Sequence, residues 1–178
     1  SSAYVNSQMT LDDNNIFGAD NDLQMIELAE LNMLLNGDGN ANLEYLDDEG
    51  SIFRKFDEKN DIVELNSNLH KNGNWDNWND KTSIKKFDIV LTNPPFGKNR
   101  SMKPANIKEK ERAEIYELWN IARDGQSIDK GLIFLENTVR ILKENGRFGI
   151  ILSNSLASVE TWKDAREWLT RNIRIVGL

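Results

Sequence analysis

A nearly unbroken apolar run, Phe87-Asp88-Ile89-Val90-Leu91-Thr92, leads directly into Asn93-Pro94-Pro95-Phe96-Gly97. This junction limits the folds open to the chain more than any other feature. A short continuous apolar run reads as a strand buried on both faces, the pattern of a parallel sheet covered by helices. Two consecutive prolines cannot donate to a ladder, so the strand must stop at Thr92. In parallel α/β sheets ligands gather beyond the carboxyl ends of the strands. The junction is therefore the first place to look for chemistry.

The flanking pattern agrees with that class. Residues 16–19 read as a short buried strand ending at Asp20, and Asn21 with Gln24 has the spacing that opens a helix. Met25, Ile26, Leu28, Ala29, Met33 and Leu34 give this helix an apolar face, and Asn36-Gly37 closes it. A second strand covers 42–46 and stops at Asp47-Asp48. Residues 49–86 form an Asn-rich polar insertion, with at most a hairpin around 61–65. After the junction, the variable segment 98–126 contains a helix over 113–123. An amphipathic helix follows over 131–143, then a strand over 148–152. Trp162, Ala165, Trp168 and Leu169 recur at helical spacing, and a last strand begins at 173–178. Strands alternating with helices predict an α/β fold with a mostly parallel sheet.

Composition narrows the partners. With no cysteine and one histidine, His70, neither a disulfide nor a metal site is expected. No apolar run approaches the roughly 20 residues that span a bilayer, and Ser1-Ser2-Ala3-Tyr4 does not resemble a signal peptide. A cytoplasmic location without membrane contact is the expectation. The net charge of -7 argues against unaided grip on a nucleic-acid duplex, whose non-specific affinity comes mainly from basic side chains.

At the junction the prolines leave carbonyls without competing N–H donors. Such acceptors suit a planar amine whose lone pair is delocalised, as on a nucleic-acid base. If Asn93 Oδ1 and the Pro94 carbonyl hold its two protons, the nitrogen is favoured in a tetrahedral form with its lone pair directed outward. Phe96 could then stack on a base turned out of the helix. The alternative is a plain strand-to-loop turn, which the preceding apolar strand and following Gly97 make less attractive.

Residues 87–97 resemble the catalytic motif of the amino-methyltransferases. The similarity is closest to the modification subunits of type I restriction systems and related N6-adenine DNA methylases. Phe17-Gly18-Ala19-Asp20 with 28–37 is similar to that family's second motif, Asn42-Leu43-Glu44-Tyr45-Leu46-Asp47 to its third, and 142–153 to the strand after the catalytic motif. The resemblance implies a Rossmann-like methyltransferase fold using S-adenosylmethionine, with Asn93, Pro94, Pro95 and Phe96 catalytic. It implies that Asp20 holds the cofactor's ribose and Asp47 its adenine, with Asp48 as the register alternative and 66–69 as a weaker third motif. It also implies DNA with a flipped adenine as substrate, a DNA-specificity subunit as partner, and a restriction subunit alongside. Asp20 could instead be a helix cap, Asp47 a solvated turn, and Phe134 core packing rather than cofactor lining.

The basic residues Lys98, Arg100, Lys103, Lys108, Lys110 and Arg112 suit phosphate contact or a solvated face equally. Trp75 and Trp78 suit anchoring of the insertion better than base stacking. The same turn occurs in methylases of ribosomal RNA guanine and of protein glutamine, and a non-catalytic assembly role is a further rival.

The family's glycine-rich first motif should precede Ile16 and is not present, so the chain is expected to be a partial domain, incomplete at both ends. The 178-residue chain alone should therefore bind S-adenosylmethionine weakly. Isothermal titration calorimetry should detect little or no heat, and a low-micromolar dissociation constant would contradict this.

Overall fold

A computed structural model of the chain describes residues 16–37, 42–45, 86–95, 101–105 and 107–177. The chain divides into two compact units, 1–72 and 73–178.

In the first unit, strand β1 (Phe17–Asp20) pairs in parallel with β2 (Asn42–Tyr45), Asp20 lying opposite Tyr45. Helix α1 (Leu23–Leu35) connects them. Its N-cap is Asp22, whose Oδ1 accepts from the Gln24 N–H at 2.9 Å, so Asn21 does not cap the helix. Asn36 ends it by donating from Nδ2 to the Asn32 carbonyl at 2.8 Å. The expected buried face is largely missing. Ile26 is buried, whereas Leu28 and Leu34 are 58% and 62% exposed. Apolar residues occur on every side of α1, and a two-stranded ladder can cover only one of them.

The second unit holds the core. Strand β3 (Phe87–Thr92) pairs in parallel with β6 (Leu142–Ile150). Between them run β4 (Ser101–Met102), α2 (Ile107–Glu114), α3 (Glu117–Ala122), β5 (Ile128–Asp129) and α4 (Lys130–Ile141). A short α5 (Ser155–Ser158), a 3-10 turn (Glu160–Trp162) and α6 (Lys163–Asn172) follow β6.

The β3 boundaries match the apolar run, but its burial does not. Ile89 is 67% and Leu91 80% exposed, so one face of the β3–β6 ladder lies open. The β6 strand starts earlier than expected because the chain passes from Leu142 to Arg147 while β3 advances only from Phe87 to Ile89. Asn145 adopts a left-handed conformation (φ 63°) within this excursion. Gly146 is needed beside it, since a Cβ there would lie 2.9 Å from the Lys143 carbonyl oxygen. The Lys143 ammonium, 2.8 Å from Asp88, holds that carboxyl below its ordinary range; this exposed pair adds little to stability. The segment 173–177 forms no strand, as it has no ladder partner among the described residues.

The expected helix over 113–123 is broken at Ile115-Tyr116, and a buried charge network explains the break. The new helix α3 has no side-chain cap at Tyr116. Its first N–H groups, which have no partner inside the helix, donate instead to a carboxylate on α4. Glu117 N–H meets Glu136 Oε1 at 3.0 Å and Leu118 N–H meets Oε2 at 2.8 Å. Arg140, one turn further along α4, lies 2.7 Å from the same carboxylate and donates to the Ile115 carbonyl at 2.8 Å. Its guanidinium covers the Tyr116 ring at 5.3 Å from the centroid. Trp168 of α6 donates to Glu117 Oε2 at 2.8 Å, which joins the last helix to the others. Around this network pack Leu118, Trp119, Leu132, Ile133, Leu135 and Ala165, all buried.

Next to Glu136, the buried amide of Asn137 makes no hydrogen bond. These adjacent polar residues should respond oppositely to substitution. Glu136→Ala leaves Arg140 buried without its counter-ion and should destabilise the unit by about 3–5 kcal/mol. Asn137→Leu removes an unsatisfied buried amide and should raise stability by roughly 1–3 kcal/mol. Chemical denaturation of both variants checks this; a Glu136→Ala loss below about 1 kcal/mol would show that the network does not carry α3.

Candidate active site

The carboxyl end of β3 is built from both strands of its ladder. Thr92 lies opposite Ile150, and its carbonyl accepts from the Ile151 N–H at 3.3 Å just beyond the ladder. Asn93 follows at once. Its side chain is exposed and makes no hydrogen bond among the described residues. Pro94 is fully buried and Pro95 exposed. The turn thus has an anchored middle, with Asn93 on one side and Pro95 on the other facing outward. An asparagine amide held this way retains its acceptor capacity for an incoming donor. The fourth residue of the expected set, Phe96, lies outside the described residues, as do Lys98 and Arg100 of the basic cluster.

The segment after the turn returns to the same edge of the sheet. Ser101 and Met102 pair antiparallel with Asp129 and Ile128. Asp129 then caps α4, its Oδ1 accepting from the Gly131 N–H at 2.8 Å. A Cβ on Gly131 would sit 3.2 Å from Leu152 Cδ2, which puts the start of α4 beside the chain leaving β6. Phe134, one turn into α4, is half-buried. Lys103 and Lys110 are exposed; the side chains of Lys108 and Arg112 are outside the description.

In the first unit Asp20 occupies the carboxyl end of β1 and is exposed. Its Oδ1 accepts from the Asp22 N–H at 2.8 Å, while Asp22 does the capping. The helix-cap alternative for Asp20 thus falls to its neighbour. Asp47 and Asp48 lie outside the described residues, two and three positions beyond the last residue of β2, as does the segment 66–69. Sequence reasoning did not single out Glu136, Arg140 or Asp129. The first two were visible only as an i, i+4 charge pair on a helix, and Asp129 only as a cap-type residue before α4.

The family model of the Eco57I restriction-modification methylases matches residues 14–178. The chain belongs to that family. It is also 31% identical over 86 residues to the type II restriction enzyme and methyltransferase RM.Eco57I of Escherichia coli, a stretch that covers 48% of this chain and 8% of the relative. Membership in a restriction-modification methylase family implies DNA methylation at the family level and a Rossmann-like fold. The family is this one rather than specifically the modification subunits of type I systems that the motifs first suggested. No helix among the described residues is long and apolar enough to cross a membrane.

Proposed function

We propose that the chain is the catalytic part of an S-adenosylmethionine-dependent DNA methyltransferase acting on the exocyclic amine of adenine. The observation that carries this reading is the turn itself. An apolar strand ends in Asn93-Pro94-Pro95, with Pro94 buried and the Asn93 amide exposed and unbonded at the carboxyl edge of a parallel ladder.

In this reading Asn93 Oδ1 and the Pro94 carbonyl accept the two amine protons of an adenine turned out of the duplex. Both acceptors are in place before the base arrives, so little reorganisation is needed as charge develops on the nitrogen. Holding both protons favours a nitrogen whose lone pair points away from the ring. Pro95 and the buried Pro94 keep the backbone from relaxing, because their φ angles are fixed. Phe96 supplies a flat face for the base. No strong general base is required, since the proton leaves only after the nitrogen has become cationic.

The exposed carboxylate of Asp20 at a strand end fits a ribose diol, which needs an acceptor for two hydroxyls, and Asp47 takes the cofactor's adenine amine. When bound, the cofactor supplies an electrophilic methyl group. The structure offers no carboxylate–histidine cluster suited to a metal among the described residues, and the reaction as read here uses none.

Sequence choice and tight DNA binding come from outside the 178 residues, in agreement with their net charge of -7. The name of the E. coli relative joins restriction and methyltransferase activities, and the matched stretch covers 8% of it. Specificity and restriction elements within the same polypeptide are therefore preferred over separate subunits.

In the full-length protein, Asn93→Ala should reduce methyl transfer at least about 100-fold, the scale for one pre-organised polar contact in a reaction centre. Binding of S-adenosylmethionine should stay near the wild-type value, because the asparagine faces the base. Single-turnover transfer and calorimetry measure the two separately. Near-normal transfer by the variant would remove the turn from the mechanism.

Stacking on Phe96 is testable in the same protein. A base–aromatic stack is worth about 1–3 kcal/mol, so Phe96→Ala should weaken productive base binding by roughly 5- to 150-fold while Phe96→Trp retains most activity. With 2-aminopurine at the target adenine, the alanine variant should fluoresce more brightly than wild type. Equal fluorescence together with a large loss of stability would make Phe96 a packing residue.

A further inference from the structure

The chain that leaves the catalytic turn is tied back to the sheet edge from which it came. Beginning at Asn93, the backbone runs eight residues forward to Ser101, which pairs with Asp129. Asp129 caps α4 through the Gly131 N–H at 2.8 Å. Gly131 in turn lies against Leu152, and Leu152 follows Ile151, whose N–H donates to Thr92, the residue before Asn93. These contacts close a ring around the turn.

Asp129 is the link in that ring where two different structures share one residue. It is the last residue of β5, directly opposite Ser101, and also the N-cap of α4, with no residue between the two roles. A cap needs a non-helical backbone and a short side-chain oxygen reaching the N2 or N3 amide, and a strand-end aspartate meets both conditions. The neighbouring pair Met102 and Ile128 is buried, each 3% exposed, so the ribbon has a fixed seat rather than a solvent-washed one. On the approach side, Asp124 and Ser127 exchange backbone hydrogen bonds of 2.8 and 3.0 Å around a left-handed Gly125, which aims the chain into β5.

We propose that Asp129 is a positioning residue for the catalytic turn, acting by fastening the returning chain at Ser101 to the first turn of α4. It touches neither base nor cofactor in this account. It sets the span within which the turn can move. The inference rests on the reading of the turn as catalytic, and a displacement of about 1 Å at a reaction centre is enough to cost up to roughly 100-fold in rate.

Three variants of the full-length protein test this with its target duplex and S-adenosylmethionine. Asp129→Ala should lower kcat by roughly 10- to 100-fold, with KM and the dissociation constant of S-adenosylmethionine changed less than about 3-fold. Asp129→Asn keeps the side-chain oxygen at the same distance and should remain within about 3-fold of wild-type kcat. Asp129→Glu keeps the charge but displaces the acceptor by one methylene, and should resemble the alanine variant. A purely structural cap predicts a different pattern, a lower melting temperature with unchanged kcat in the folded protein. Equal kcat for Asp129→Glu and Asp129→Asn would overturn the proposal even if the alanine variant does not fold. Hydrogen exchange reads the fastening without any activity: Asp129→Glu should exchange faster than wild type in peptides covering 101–102 and 130–132. Unchanged exchange there would overturn the proposal, whereas a wild-type protein that transfers no methyl would instead count against the reading of the turn.

Discussion

The second unit depends on one buried ion pair. Glu136 and Arg140 sit on successive turns of α4 at 2.7 Å, with 1% and 4% of their side chains exposed. Isolated charges are expensive to bury, and a pair repays the cost only when its remaining donors and acceptors are also satisfied. Here the carboxylate takes the first two N–H groups of α3, while the guanidinium takes the Ile115 carbonyl and lies on Tyr116. The pair therefore does more than neutralise itself. It replaces the missing cap of α3, fixes the bend before it and, through Glu117 and Trp168, holds α6 in place. With α4 fixed by these contacts, its opposite end can serve the sheet edge. Lys86, at the entry to β3, donates to the Arg140 carbonyl, whereas Gly131, at the other end of α4, meets Leu152 beyond β6.

That division of labour accounts for the polar character of the site end. The C-terminal half of α4 carries the buried charges, and its N-terminal turn adjoins the strand ends where Asn93 and Pro95 are exposed. The catalytic turn needs carbonyl and amide oxygens directed at a ligand, and these cannot also be consumed in a ladder. Proline removes the donors that would pair with a neighbouring strand, and burial of Pro94 anchors the turn without using its polar atoms. Rigidity and free acceptors would otherwise oppose each other, because a loop is usually held by the same hydrogen bonds that an active site requires.

Much of this was legible before the structure. The boundaries of β3 followed from a simple contrast between an apolar run and two prolines, and α6 from the spacing of Trp162, Ala165 and Trp168. The N-terminal strand, its helix and the closing Asn36-Gly37 were equally readable from local chemistry. Local chemistry failed where a distant residue decided the outcome. The break at Tyr116 depends on a carboxylate 20 residues away in sequence that caps α3, and no pattern within 113–123 reports it. Asp22 took the capping role assigned to Asn21 because both residue types cap well and their spacing differs by only one position. The β6 strand began early because Asn145 and Gly146 allow an excursion without ending the ladder. Exposure was the least legible property. Ile89 and Leu91 belong to an apolar run whatever covers them, and sequence pattern cannot distinguish one covered face from two. At the site, Asn93, Pro94 and Pro95 were found from residue type and position alone, and Asp20 was found in the same way. Asp129 was not, since its importance lies in pairing with Ser101, which sequence does not announce.

The central claim is that the Asn93–Pro95 turn serves transfer to the adenine exocyclic nitrogen. The most direct test is the identity of the methylated product. Full-length protein would be incubated with DNA and S-adenosylmethionine carrying an isotopically labelled methyl group, and the DNA digested to nucleosides for mass spectrometry. The account predicts label in N6-methyladenine. Label in a cytosine product, or label incorporated only when RNA or a protein replaces the DNA, would contradict it.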